Sequence, residues 1–436
     1  MSPDRSSSSR FSIWRSLGPA IITASVVLGP GSILSASKIG YQHGYAMAWV
    51  LLLAVLMMIG LTALSARLGV ALEDTLCSEL ANRAGRWAAV ITGVSLFLIA
   101  ACFQFGNNLG VIAAIEPFLP DIPAAKWIQT GLIVLLNVLI IVALFGFQKL
   151  YDPVERLMKL LVMLMLVGFA FNLVMAQPDL LGLLAGLVPQ LPDGATETLL
   201  PTANEEGKVV DNLTPLVAMF VTTFSIGGAF YQSYLVRKKG WTLNHLREGF
   251  VDSAVGICVL GLVTLMIMVT AAAVLHDNPK ISEPQSAAEV AQQLEPLFGP
   301  AAKALFCLGI FAGAFSSFFV NAMIGGTILS DGLGLGGDID QRWPKYFTVL
   351  ALLTGMGVAL MIQFTGQRPV NLIIFAQAMT VVGLPALAAT ICYLATRPDL
   401  IGERRIPGWM KLVSFLAFAI ATTLALRTAV RLWLAN

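Results

Sequence analysis

Residues 20–40 read AIITASVVLGPGSILSASKIG, an apolar run long enough to cross a bilayer and broken at its centre by Gly29-Pro30-Gly31. Pro30 removes a backbone donor and clashes with the preceding turn, while the glycines add no side chain and allow unusual dihedrals. The helix is expected to stop near Leu28 and restart near Ser32. Carbonyls and N–H groups freed at bilayer depth are tolerated only where they line a protein cavity or water. A broken membrane helix therefore points to a transporter binding site. The plainer reading is a proline kink in an ordinary packed helix.

The rest of the chain fits a lipid environment. It has 436 residues, 57% of them hydrophobic and only 12% charged, with a mean hydropathy of +0.80. Soluble domains carry about 25% charge, so this composition is that of a polytopic protein embedded in a lipid bilayer. A net charge of +2 without a long basic run gives no reason to invoke nucleic acid. Cys77, Cys102, Cys258, Cys307 and Cys392 show no paired spacing and read as small buried hydrophobes, not as disulfides or a metal cluster. Residues 1–16 are polar and basic and read as a disordered cytoplasmic tail without a signal-peptide cleavage site. Residues 17–433 read as one transmembrane domain.

Apolar runs of about 20 residues mark about eleven spans, near 17–39, 46–70, 88–114, 127–147, 157–177, 213–236, 250–275, 301–330, 346–364, 369–395 and 410–433. Basic residues mark alternate loops. Arg5, Arg10 and Arg15 precede the first span, Arg83 and Arg86 follow the second, and Lys149, Arg156 and Lys159 surround the fourth-to-fifth turn. Arg237, Lys238, Lys239 and Arg247 follow the sixth, and Arg397, Arg404, Arg405 and Lys411 follow the tenth. The other loops are acidic or neutral: 178–212 carries Glu197, Glu205, Glu206 and Asp211, and 276–300 carries Asp277, Glu283, Glu289 and Glu295. By the positive-inside rule the N-terminus is cytoplasmic and, with an odd span count, the C-terminus lies outside a bacterial inner membrane.

A second interruption follows five spans later. Val221-Thr222-Thr223-Phe224-Ser225-Ile226-Gly227-Gly228-Ala229 places a glycine pair in the middle of the sixth span. Breaks at matching places of two five-helix halves, 17–177 and 213–395, indicate a 5+5 inverted repeat with a site between broken helices 1 and 6. The span at 410–433 is then an extra helix. The expected fold class is an all-α membrane protein.

The chemistry of such a site is uncharged. Within the spans as drawn, Asp252 is the one carboxylate, near the start of the seventh, and His43, His245 and His276 fall in loops. A bare divalent cation favours hard, preferably charged oxygen ligands or imidazole; here the sequence offers carbonyls, hydroxyls and amides. A helix N-terminus starting near Gly31-Ser32 favours neutral or anionic groups. Candidate substrate contacts are Gly29, Gly31, Ser32, Thr222, Ser225, Gly228 and Gln377. Gln104, Asn107 and Asn108 on the third span, and Asn321 with Ser316 and Ser317 on the eighth, either line a pathway or bond helix to helix. Lys38 lies about 10 Å beyond the break at 1.5 Å per residue, where it reads either as a substrate gate or as a snorkelling interfacial lysine.

Longer patterns carry a resemblance. They are LGPAIITASVVLGPGS, GYAMAWVLLL, SARLGVALEDTL, GFQKLYDPVERLMKLLVMLM, the sixth-span run ending QSYLVR, KALFCLGIFAGAFSSFFVNAMIGGTIL and FAQAMTVVGLPALA. Together they resemble the NRAMP-type (natural resistance-associated macrophage protein) divalent metal transporters, which share the LeuT fold, across nearly the whole chain. The resemblance implies alternating access in a divergent bacterial member. In the family the first break reads Asp-Pro-Gly-Asn, with Asp and Asn binding metal; here it is Gly29-Pro30-Gly31-Ser32. The family's small residue, Met, Pro and His of the sixth helix align with Thr222, Ser225, Ile226 and Gly227. Its acidic proton-route residues align with Gln104 and Asn107, amides that do not titrate. One family ligand, a Gln in the tenth helix, is kept as Gln377.

The expectation is a secondary carrier of a small polar non-metal solute, neutral or anionic, of the kind of bicarbonate or a small carboxylate. The alternatives are a divalent cation carrier for Mg²⁺ or Mn²⁺ and a transport-inactive sensor. No cofactor is expected, and no motif pairs a nucleophile with a base, so an enzyme is not expected. The sequence carries no signal for an oligomeric state.

Overall fold

Proline placement decides where the first span divides. Pro19 and Pro30 each open a helix, where the missing N–H is one that no helix bonds and φ is already helical. In the computed structural model they begin α1 (Pro19–Val27) and α2 (Pro30–His43), two half-helices bent by 61°. The structure describes residues 18–119, 124–190, 200–203, 209–211, 213–276, 278, 282–284, 286–366 and 370–434, with the side chains of Cys102, Ala203, Val210, Thr214, Pro215 and residues 370–382 outside that description. The expected tail at 1–16 thus lies outside the described residues.

The chain continues as α3 (Ala48–Ala71), α4 (Leu76–Ala84), α5 (Arg86–Ile115), α6 (Ala124–Gly146), α7 (Tyr151–Ala176) and α8 (Leu180–Ala185). The second half comprises α9 (Thr214–Thr223), α10 (Ile226–Lys238), α11 (Leu246–Val274), α12 (Ala287–Phe298), α13 (Pro300–Gly332), α14 (Arg342–Thr365), α15 (Val370–Ala395) and α16 (Gly408–Leu434). Between α8 and α9 a hairpin of two-residue strands, β1 (Thr202–Ala203) and β2 (Val209–Val210), pairs antiparallel. Among the described residues, nine spans are long and apolar enough to cross a membrane and the α1–α2 pair makes a tenth. α15, apolar over its described part Gly383–Ala395, is the remaining expected one.

Three expectations need correction. The second break falls at Phe224-Ser225, not at the glycine pair, because Ser225 caps the next helix and leaves Gly227 and Gly228 inside its first turn. The helices also run up to two turns past the drawn ends, which places Glu155 on α7 and Asp331 on α13, so Asp252 is not the one carboxylate on a span. Finally, Cys77, Cys307 and Cys392 are buried as expected but Cys258 is exposed on the surface of the helix bundle.

The core is built around α13, which packs on α5, α14, α7 and α1. α6 and α16 bury least and form the periphery, where Leu135, Val142, Leu412 and Leu426 face outward. In lipid, close helix approach replaces the hydrophobic drive between helices. Gly40 shows it: a Cβ there would collide with the Met268 carbonyl and lie 2.8 Å from the Ala272 nitrogen on α11. Gly313 does the same against α1, where a Cβ would sit 2.5 Å from the Leu28 carbonyl oxygen. Since overpacking of this kind costs about 1–3 kcal/mol, Gly40→Ala is expected to lower the thermal midpoint of the detergent-solubilised protein. Differential scanning fluorimetry on its tryptophans checks this; an unchanged midpoint contradicts the packing assigned to α2 and α11.

Candidate functional site

A helix leaves its last four carbonyls without intrahelical partners, and α1 ends inside the protein. The carbonyls of residues 24–27 each have a partner here, the first of them the helix's own Leu28 N–H, while the Leu28 carbonyl at the break accepts no hydrogen bond among the described residues. The Ala24 carbonyl accepts from the Leu28 N–H at 3.3 Å and the Val27 carbonyl from the Gly29 N–H at 2.9 Å. The Ser316 hydroxyl donates to the Ser25 carbonyl at 3.0 Å and the Ser317 hydroxyl to the Val26 carbonyl at 2.9 Å. Ser32, the third residue of the restarted helix, donates its hydroxyl back to Val27. Gly29 has to be glycine for this arrangement, since a Cβ there would lie 2.9 Å from the Ser317 hydroxyl oxygen.

Donors at the restarts are left open. Pro30 has no N–H, the Ser32 and Ile33 N–H groups bond the Gly29 carbonyl, and the Gly31 N–H makes no hydrogen bond among the described residues. Gly31 is exposed and a Cβ there would meet nothing within 4 Å. At the second break Ser225 accepts the Gly228 N–H at 3.2 Å, while the Ile226 and Gly227 N–H groups have no partner among the described residues. The break thus presents helix N-terminal donors from α2 and α10, each end carrying about half a positive charge.

Thr222 turns away from the gap, donating to the carbonyls of Ala218 and Met219 within its own helix. Thr223 was not singled out by sequence. It is the last residue of α9, its hydroxyl is fully buried, and that hydroxyl has no hydrogen-bond partner. With Thr222 bonded to Met219, the carbonyl four residues back from Thr223 is already occupied. The two breaks are neighbours: a Cβ on Gly228 would lie 3.5 Å from the Thr23 methyl on α1.

Beside the first break runs a buried ladder of amides. The Asn107 amide donates to Gln104 at 2.6 Å, Gln104 to the Phe318 carbonyl at 2.7 Å, and Asn108 to the Gln104 carbonyl at 2.9 Å. Asn137 of α6 then donates to Asn108 at 2.8 Å and keeps an unpartnered oxygen. The Asn107 oxygen lies 3.6 Å from where a Gly29 Cβ would be, so the ladder begins at the break. The fold brings Gln104, Asn107 and Asn108 together in one hydrogen-bonded set. Lys38 is not among them; it pairs with Glu283 at 3.2 Å, away from the break. Asn321 is half-buried on α13, and the side chain of Gln377 on α15 lies outside the described residues. No group of three His, Cys, Asp or Glu side chains suited to a metal ion occurs among the described residues. A thioether does come close: Met165 Sδ lies 3.3 Å from a Cβ placed on Gly313, beside the Leu28 carbonyl.

Membrane-length helices, two of them interrupted at adjacent points, define a membrane transporter of the broken-helix, inverted-repeat class. The profile of the Natural resistance-associated macrophage protein-like family matches residues 20–431, and the chain belongs to that family. The "Divalent metal cation transporter MntH" of Deinococcus radiodurans is 26% identical over 410 residues, covering 92% of this chain and 87% of that protein. The protein of the same name from Klebsiella pneumoniae is 23% identical over 409 residues, 94% of this chain and 92% of its own. Among solved structures, a mutant manganese transporter of Eremococcus coleocola superposes with a TM-score of 0.73 at 18% identity, covering 98% of this chain and 88% of that one. A Na⁺-coupled sialic acid symporter in its substrate-bound outward-open state gives 0.60 at 13% identity, covering 93% and 89%.

The caps on α1 make a sharp expectation. Removing a hydroxyl that satisfies a buried carbonyl costs about 1–3 kcal/mol, so Ser316→Ala with Ser317→Ala is expected to destabilise the protein and to speed amide exchange in residues 24–28. Hydrogen exchange read by mass spectrometry checks it. Unchanged exchange in that segment would remove the role given to the two serines.

Proposed function

We propose that this chain is a multi-pass carrier of the bacterial inner membrane that moves a small polar solute, neutral or anionic, by alternating access around its two breaks. Its N-terminus is cytoplasmic and its C-terminus outside, on the alternation of basic loops. The supporting observation is the state of the first break. The carbonyls of residues 24–27 are held by protein groups, whereas the Leu28 carbonyl and the Gly31, Ile226 and Gly227 N–H groups make no hydrogen bond among the described residues. A site of open donors with hydroxyl and amide neighbours suits the acceptor oxygens of bicarbonate or a small carboxylate. The amides at Gln104 and Asn107 hold no titratable proton, so the ladder supplies polarity without proton coupling.

A second reading has support from the relatives' names. Proteins called divalent metal cation transporters share most of this chain's length. In that reading a largely hydrated Mg²⁺ or Mn²⁺ is carried, because an ion that keeps its waters needs fewer charged ligands. Gln377 is the polar residue of α15 that serves this reading.

Flux into proteoliposomes separates the two. Labelled bicarbonate and acetate are expected to enter, with Mn²⁺ and Mg²⁺ neither entering nor competing. Metal uptake abolished by Gln377→Ala, with no anion flux, would overturn the first reading. Thr223→Val tests the buried hydroxyl in the same assay. Losing an unpartnered buried hydroxyl is expected to leave stability equal or higher, yet to raise the KM for the transported anion about tenfold; Thr223→Ser is expected to keep the wild-type value.

A further inference from the structure

α1 has an unusual beginning as well as an unusual end. Its N-cap position is Gly18, which has no side chain to cap with, and Pro19 follows. The open N–H groups of Gly18 and Ala20 are instead taken by Asp252, 234 and 232 residues away on α11, at 2.8 and 2.9 Å. Asp252 is 1% exposed. Its carboxylate also accepts the Gln232 amide of α10 at 3.3 Å, and the Gln232 oxygen accepts the Thr23 hydroxyl of α1 at 2.7 Å. One carboxylate therefore ties α1, α10 and α11 together. Lys239, which pairs with Glu155 at 3.9 Å, lies over the same end of α1, and Glu155 also binds Lys159 at 2.6 Å.

An ordinary N-cap travels with its helix, because the capping side chain belongs to the same segment. This cap does not. If α1 swings away from α11, it loses two charge-assisted bonds to its own backbone and leaves a buried carboxylate with only the Gln232 amide, so undocking and uncapping are one event. Burial differs between the two sides. Every residue of α1 is buried, and α10 is buried from Gly228 to Val236, whereas Gly31 is exposed and Val217, Val221 and Thr222 on α9 are half-buried. Farther along α10, Tyr234 donates to Asp331 at 2.7 Å, as does Ser78 from α4, tying α10, α4 and α13 together on the same side. The half-helices on the side of the chain's N-terminus are thus buried, while those on the opposite side keep exposed or half-buried residues at and beyond the breaks.

We infer that Asp252 is a positioning residue of the transport cycle, the latch that holds half-helix α1 shut against α10 and α11 until the side bearing the N-terminus opens. The inference rests on the alternating-access reading and not on any choice of cargo. It assigns no contact between Asp252 and the transported solute.

Hydrogen exchange on the full-length protein in nanodiscs, without added solute, tests it. Asp252→Asn is expected to raise exchange in residues 18–28 and 226–236 about tenfold or more, in line with losing bonds to a charged group. In the same sample, exchange in residues 30–36 and 214–223 is expected to fall, as the opposite side closes. A cap with only a structural role would loosen the first pair of segments without protecting the second, and that outcome overturns the inference. So does unchanged exchange throughout. Should Asp252→Asn fail to fold, Gln232→Leu and Thr23→Val keep the carboxylate caps and break only the bridge to α10. They are expected to give the same reciprocal pattern at a few-fold amplitude, and its absence in both overturns the inference. Asp252→Glu is expected to return the wild-type pattern. A loss of anion flux with this pattern intact would count against the cargo proposed above and not against the latch.

Discussion

Backbone groups released inside a membrane bundle have to be satisfied by something, and the architecture of this protein follows from how α1 meets that demand. The half-helix is nine residues long and wholly buried, too short to be stable by its own hydrogen bonds. Neighbours complete it at both ends. Asp252 takes its first N–H groups, and Ser316, Ser317 and Ser32 take its last carbonyls. The glycines at 29 and 313 let the serine-bearing face of α13 come close enough. What looks like a flaw in a membrane helix is a separately held segment, attached by polar bonds that break and re-form without unfolding the scaffold.

That attachment also sets the electrostatics of the gap. A carbonyl that accepts from a serine has less to offer a cation, and three of the terminal carbonyls of α1 are so occupied. The opposing half-helices contribute N–H groups and partial positive charge. In the family pattern an ionised aspartate would sit at this point and reverse the sign; Gly29 and Ser32 stand in its neighbourhood here. An acceptor-bearing solute, or an ion that brings its own hydration, is for that reason the cargo we propose for this centre.

Much of this is legible in the sequence. Pro30 between two glycines located the first break to within a residue or two, because proline's missing donor and glycine's missing side chain act locally. Hydropathy located the spans for the same reason, since each helix in lipid satisfies its own backbone. The second break was displaced because Gly227 and Gly228 are tolerated inside a first helical turn once Ser225 caps it. Long-range pairs were not legible at all. Nothing in the string joins Asp252 to Gly18, or Ser317 to Val26, since each pair is separated by more than two hundred residues. Thr223 escaped notice because an unpartnered hydroxyl is visible only when its neighbours are placed. Lys38 was ambiguous in sequence because its partner Glu283 lies in a distant loop.

The central claim is that the gap between the two breaks does not ligate a bare divalent cation. Crystals equilibrated with saturating Mn²⁺ and measured at its absorption edge read this directly. The account predicts no anomalous density between residues 28–32 and 223–227. A strong peak there, coordinated by backbone carbonyls of those segments with Ser225, Met165 or Gln377 alongside, would contradict it.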